Sequence, residues 1–129
     1  MNLTSLISYY TYFLAVQKCK KNDNYSIHGL WIDYNKGGYP VYCNMTDKFD
    51  IIELNEFKYE LDEKWYSCYG KSETLWEHEW DKHGTCFYPK MNLKYYFNKT
   101  LELYNQKQDY MKEKCTEKEC LIPIEFIEL

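Results

Sequence analysis

All three histidines of this chain fall in two short blocks, Ile27-His28-Gly29-Leu30-Trp31 and Leu75-Trp76-Glu77-His78-Glu79-Trp80-Asp81-Lys82-His83-Gly84-Thr85-Cys86. An imidazole is the side chain that can both take and give a proton near neutral pH. Placed beside carboxylate, ammonium and indole groups, it belongs to acid–base chemistry. The spacing of the second block fits a helix. At about 100° per residue from Trp76, His78 falls near 200°, Lys82 near 240°, Glu79 near 300° and His83 near 340°, so the four share one arc. Glu77 and Asp81 project the other way, into water, and Gly84 supplies a helix stop. The plain alternative is an amphipathic helix with a solvated charged face. It gives no reason for two histidines flanked by the one carboxylate and the one lysine able to assist them.

A zinc helix is also weighed and set aside. Metal-binding helices carry two histidines at i and i+4, but His78 and His83 are five apart, and i+4 from His78 is Lys82, whose ammonium would repel a cation. Cys19, Cys43, Cys68, Cys86, Cys115 and Cys120 contain no Cys-x-x-Cys pair. No metal and no other cofactor is expected.

IHGLW followed by LWEHEWDKHGTC resembles the two active-site segments of the ribonuclease T2 family of acid ribonucleases, with the resemblance running from about Tyr9 to Tyr104. It implies an endoribonuclease that cleaves single-stranded RNA. His28 would give a proton to the leaving 5′ oxygen, His83 would take one from the ribose 2′ hydroxyl, and His78 would contact phosphate. Glu79 and Lys82 would orient the base and stabilise the phosphorane-like transition state. RNA carries its own nucleophile in the 2′ hydroxyl, so one base and one acid suffice, and DNA is excluded as a substrate. The resemblance also implies a base pocket of Trp31, Asp33 and Tyr39; the alternative makes Trp31 core and Tyr39 a turn residue beside Gly37, Gly38 and Pro40. Ile32 stands where the family commonly has proline, which is expected to loosen the turn presenting Trp31 and Asp33. A competing reading keeps the scaffold but not the turnover: a weak or inactive secreted glycoprotein that binds RNA or a host surface.

The elements that must position these residues are few. A chain of 129 residues makes one domain, and 45% hydrophobic residues, many of them tyrosine, can build a core. Leu6 to Gln17 reads as a strand rather than a signal peptide, because it lacks a basic leader and a cleavage site. Ile51 to Trp65 reads as helix or loop and helix. A helix begins at Asn92, with Leu93, Tyr96, Phe97, Leu101 and Tyr104 as its core stripe, and Cys120 to Leu129 reads as a closing strand. The fold class is therefore α+β, an antiparallel sheet packed with helices in a single unit over 1–129. Relatives carry several dozen more residues between the Tyr104 region and the final strand, so part of the family scaffold is absent here.

A net charge of −4 argues against tight, nonspecific nucleic-acid association and favours transient contacts around a local cationic cleft, strengthened at acidic pH. A monomer is expected. Six cysteines and four Asn-x-Ser/Thr sequons, at Asn2, Asn24, Asn44 and Asn98, point to a secreted or lysosomal-type compartment. No segment is apolar enough for a membrane span. The resemblance pairs Cys43 with Cys86, which would tie the base loop to the end of the catalytic helix; Cys19 with Cys68 and Cys115 with Cys120 remain.

Overall fold

The computed structural model describes residues 9–129. The sequon at Asn2 and the first residues of the expected strand, Leu6 to Ser8, lie outside the described residues. From Tyr10 the chain alternates between two environments at period two, as a half-buried strand must. This is β1, Tyr10–Gln17, which buries Tyr12, Leu14 and Val16 on its inner face. It is the central strand of a three-stranded antiparallel sheet, flanked by β2, Ser26–Tyr34, and β3, Glu119–Ile124. Leu30 and Ile32 of β2 and Ile122 and Ile124 of β3 complete the inner face. Phe13, Trp31, Asp33, Glu119 and Leu121 alternate onto the outer face.

Ile32 pairs with Tyr12 inside the β1–β2 ladder and is fully buried. The expectation of a loosened turn at this position is thereby corrected: β2 runs straight through to Tyr34, where an isoleucine fits the pleat and keeps its N–H. The irregularity lies earlier. Ala15 pairs with Gly29 and Val16 with Ile27, so the register shifts between them and His28 is the extra residue of a β-bulge. A bulge leaves one residue unpaired and re-aims its side chain. His28 is thus turned out of the sheet's regular alternation.

The inner face is covered by helical elements. A 3₁₀ turn, Ile51–Phe57, opens with the Asp50 carboxylate accepting the Ile52 N–H at 3.0 Å and runs into α1, Lys58–Lys64. Then come α2, Ser72–Lys82, a 3₁₀ turn over Gly84–Cys86, and α3, Leu93–Gln106. Asn92 caps α3 by accepting the Tyr95 N–H at 2.8 Å, a contact of the kind that stabilises a helix by about 1 kcal/mol. The expected stripe of Leu93, Tyr96, Phe97 and Leu101 is buried, joined by Thr100 and Leu103, with Tyr104 at its margin. A short helix, α4, Gln108–Lys114, leads to β3. The closing strand is shorter than expected. It ends at Ile124, and Phe126–Glu128 forms a 3₁₀ turn, because Glu125 and Glu128 exchange side-chain bonds with each other's backbone N–H groups in a capping box.

Indole N–H groups stitch these layers together. Trp65 donates to the His28 carbonyl at 3.1 Å, Trp76 to the Trp65 carbonyl at 2.6 Å, and Trp80 to the Asp47 carbonyl at 2.8 Å. Buried tryptophans need such partners, and here they fix the backbone of His28 relative to α2. Three disulfides, Cys19–Cys68, Cys43–Cys86 and Cys115–Cys120, use all six cysteines. The Cys43–Cys86 bond ties the loop after β2 to the end of the turn that follows α2. In the chain-entropy model, closing a loop of this length stabilises the fold by roughly 4 kcal/mol.

Candidate active site

The two histidine blocks meet where α2 lies against β2. Glycine 29 permits the meeting: a Cβ there would sit 2.1 Å from Glu79 Oε1 and 2.7 Å from Trp31 Nε1. Only a residue without a side chain leaves room for the bond between those two groups, in which the Trp31 indole donates to Glu79 Oε1 at 2.7 Å. Gly84 is required for a similar reason. It does not adopt the left-handed conformation of a typical helix stop; a Cβ on it would meet Trp80 Cε3 at 2.4 Å. The helix ends one residue before, with His83 as its cap and the His83 N–H still bonded to the Glu79 carbonyl at 3.0 Å.

Glu79 sits on the same helical arc as His78, Lys82 and His83, turned away from the solvated Glu77 and Asp81, and it is the most deeply buried of the four. It is 1% exposed, and burial pushes its carboxyl up to about 7 against the opposing pull of the Trp31 hydrogen bond and Lys82. Its other oxygen, Oε2, lies 3.7 Å from His28 Nε2. The carboxylate expected to orient the base therefore reaches the other histidine and the indole.

Trp31 stands between the two imidazoles. Its ring meets His28 edge-on, with centroids 5.0 Å apart, and stacks on His83 at 5.1 Å with 27° between the planes. His83 is 6% exposed, and its imidazole is pushed down to about 3 by burial first, then by Lys82, His78 and His28. His28 is also lowered by burial, but the Glu119 carboxylate, 3.6 Å from its Nδ1, pulls it back up while His78 and Lys82 oppose. Nδ1 of both rings is buried without a hydrogen bond to the protein.

These groups line one cavity of about 270 Å³, bounded by His28, Trp31, Glu79 and His83, with His78 and Lys82 from α2 and Asp33 and Tyr39 from the other side. All eight expected site residues are brought together. Tyr39 is 52% exposed, its ring 6.2 Å from that of His83 and 5.8 Å from Lys82 Nζ. Asp33 is half-buried, and desolvation raises its carboxyl. One face of the Trp31 indole is already covered by His83. Sequence reasoning missed Phe13 and Leu121, which complete the wall, and Glu119; nothing near the motifs announces them. Among the described residues, no three His, Cys, Asp or Glu side chains are grouped as metal ligands would be, and no helix is long and apolar enough to cross a membrane.

A bulge histidine, a cap histidine and the indole between them coincide with the segments matched by the family model for the ribonuclease T2 family, which spans residues 8–118. The chain belongs to the ribonuclease T2 family. Among its relatives, a ribonuclease T2-like protein of Aspergillus fumigatus is 34% identical over 106 residues, covering 68% of this chain and 26% of that protein. Ribonuclease 3 of Arabidopsis thaliana is 36% identical over 90 residues, covering 67% and 40%, and extracellular ribonuclease LE of Solanum lycopersicum is 37% identical over 87 residues, covering 64% and 38%. This ribonuclease T2 chain thus corresponds to 26–40% of the length of these relatives. In fold it is similar to the crystal structure of RNase NT in complex with 5′-AMP, with a TM-score of 0.69 at 24% identity over 81% of this chain and 61% of that one. Human RNase T2 gives a TM-score of 0.67 at 23% identity over 84% and 63%.

Proposed function

We propose that this chain is an endoribonuclease that cleaves single-stranded RNA by transesterification at the 2′ oxygen, without a metal ion. The observation that carries the reading is the pair of imidazoles held on either side of Trp31 in one cavity, in environments of opposite character. His83, kept neutral by burial and by its cationic neighbours, takes the proton of the 2′ hydroxyl. The 2′ oxygen forms a bond to phosphorus, the bond from phosphorus to the 5′ oxygen breaks, and His28 gives its proton to that departing oxygen. The products are a 2′,3′-cyclic phosphate and a 5′ hydroxyl. Lys82 and His78 line the cavity and stabilise charge on the phosphoryl oxygens as the transition state forms. Each positioned proton transfer is worth a rate factor of about 10² to 10⁴.

Tyr39, Asp33 and the remaining face of Trp31 form the subsite for the base: stacking accepts any base, and Asp33 adds a hydrogen-bond acceptor or, when protonated, a donor. The three disulfides, the exposed asparagines Asn24 and Asn98 of two sequons, and an extracellular ribonuclease among the relatives support a secretory destination. The test is to incubate oxidised protein with single-stranded RNA and matched DNA at pH 5 and pH 7 in EDTA, with His83→Ala as control. Cyclic-phosphate ends from RNA alone, absent with the variant, are expected. No cleavage by folded protein would overturn the reading in favour of an RNA-binding protein without turnover.

A further inference from the structure

We propose that Glu119 is a positioning residue for His28: its carboxylate, crossing β1 on the outer face of the sheet, engages Nδ1 and turns Nε2 toward the leaving-group oxygen. The role in catalysis rests on the nuclease reading above; the coupling between the two side chains does not.

Three observations on geometry carry it. The first is proximity. Nδ1 of His28 is buried and has no hydrogen bond to the protein, and the Glu119 carboxylate is at 3.6 Å, a few tenths of an ångström beyond hydrogen-bond contact. An imidazole whose second nitrogen is held by a carboxylate has its orientation fixed by that bond. The second is the census of charged groups around the ring. From α2 come Glu79, whose Oε2 is 3.7 Å from Nε2, and the two cationic groups His78 and Lys82; from β3 comes Glu119 alone; from β2 the neighbour is the uncharged Trp31. Glu79 is buried and bonded to Trp31, whereas Glu119 is 58% exposed. The two carboxylates therefore divide the imidazole between them, one near each nitrogen, and Glu119 alone faces Nδ1, the nitrogen turned away from the Glu79 side.

The third is placement. Glu119 pairs with Gln17 at the start of β3, one residue beyond the stretch matched by the family model. It is held there by the Lys18 N–H bond to the Lys118 carbonyl at 2.8 Å and by the Cys115–Cys120 disulfide, which closes the connection from α4. The short route from α3 through α4 to β3 delivers this carboxylate to the acid histidine.

The experiment follows the His28 imidazole by NMR titration in the intact, oxidised protein, comparing wild type with Glu119→Gln and Glu119→Asp. The His28 signal is assigned by its loss in His28→Gln. Losing an opposite charge at this range lowers the pH at which His28 takes its proton by about half to one pH unit, a 3- to 10-fold change in its proton affinity. The Asp variant, which keeps the charge on a shorter arm, should recover part of that change. On RNA, the falling limb of the kcat/KM pH profile should move to lower pH with the NMR value in Glu119→Gln. Because Glu119 is largely exposed, thermal stability should stay near that of wild type. A His28 titration unmoved in Glu119→Gln would overturn the proposal even if RNA is cleaved. A shifted titration in a protein that cleaves no RNA would sustain the coupling and reject the nuclease reading alone.

Discussion

His28 and His83 carry the same side chain on opposite kinds of support. His28 projects from a bulge in a strand, is partly exposed, and has a carboxylate near each ring nitrogen. His83 caps a helix, is buried against an indole face, and has cations rather than carboxylates as its charged neighbours. Two titratable groups whose surroundings push them apart are how one site holds an acid and a base at the same pH. On the proposed mechanism the difference divides the roles: the histidine that resists protonation accepts the 2′ proton, and the one whose protonated form the Glu119 carboxylate favours supplies the proton that leaves with the 5′ oxygen.

The largest expected effect breaks that comparison directly. His28→Ala and His83→Ala should each reduce cleavage of a dinucleotide by about 10² to 10⁴. On a nucleoside 3′-phosphodiester with a nitrophenol leaving group, which departs without protonation, His28→Ala should regain most of its lost rate and His83→Ala should not. Equal recovery by both variants would mean that the division of roles is wrong.

A smaller effect sharpens the comparison through Glu79, the carboxylate that burial holds near 7. A carboxyl raised in the folded protein stabilises the fold fully below its ordinary range, near 4.5, and that contribution is lost as pH rises through about 7. Glutamine keeps an oxygen to accept the Trp31 N–H and never ionises. Glu79→Gln should therefore match wild type in urea unfolding at pH 4.5 and exceed it at pH 8 by about 1 to 3 kcal/mol, at about 1.4 kcal/mol per pKa unit. Its activity should fall, as expected where a strained buried charge serves function. An equal stability difference at both pH values would remove burial as the cause.

Much of the site was legible because its residues are local in sequence. Helical spacing put His78, Lys82 and the end of the helix where they are, and alternation put β1 through Gln17 on the core. What escaped depends on contacts remote in sequence. Helical spacing groups Glu79 with His78, Lys82 and His83, but nothing in the second block shows that Gly29 opens a slot for it or that Trp31 donates to it. The bulge at His28 exists only in the register with Ala15 and Val16, which no reading of β2 alone contains. Ile32 reads in sequence as a missing proline in a turn, but pairing with β1 makes it strand. Glu119 lies 91 residues from His28 and reaches it only because β3 docks on the far edge of β1. The pairing of Cys43 with Cys86 followed from family resemblance; the spacing of six cysteines alone allows 15 arrangements.

The most direct test of the division between the two histidines is an NMR titration of all three imidazoles in the folded, oxidised protein from pH 3 to pH 8. His83 should remain neutral until about pH 3, while His28 takes its proton at a distinctly higher pH, below the ordinary 6.5. His83 protonating at or above the pH of His28 would contradict the assignment of base and acid.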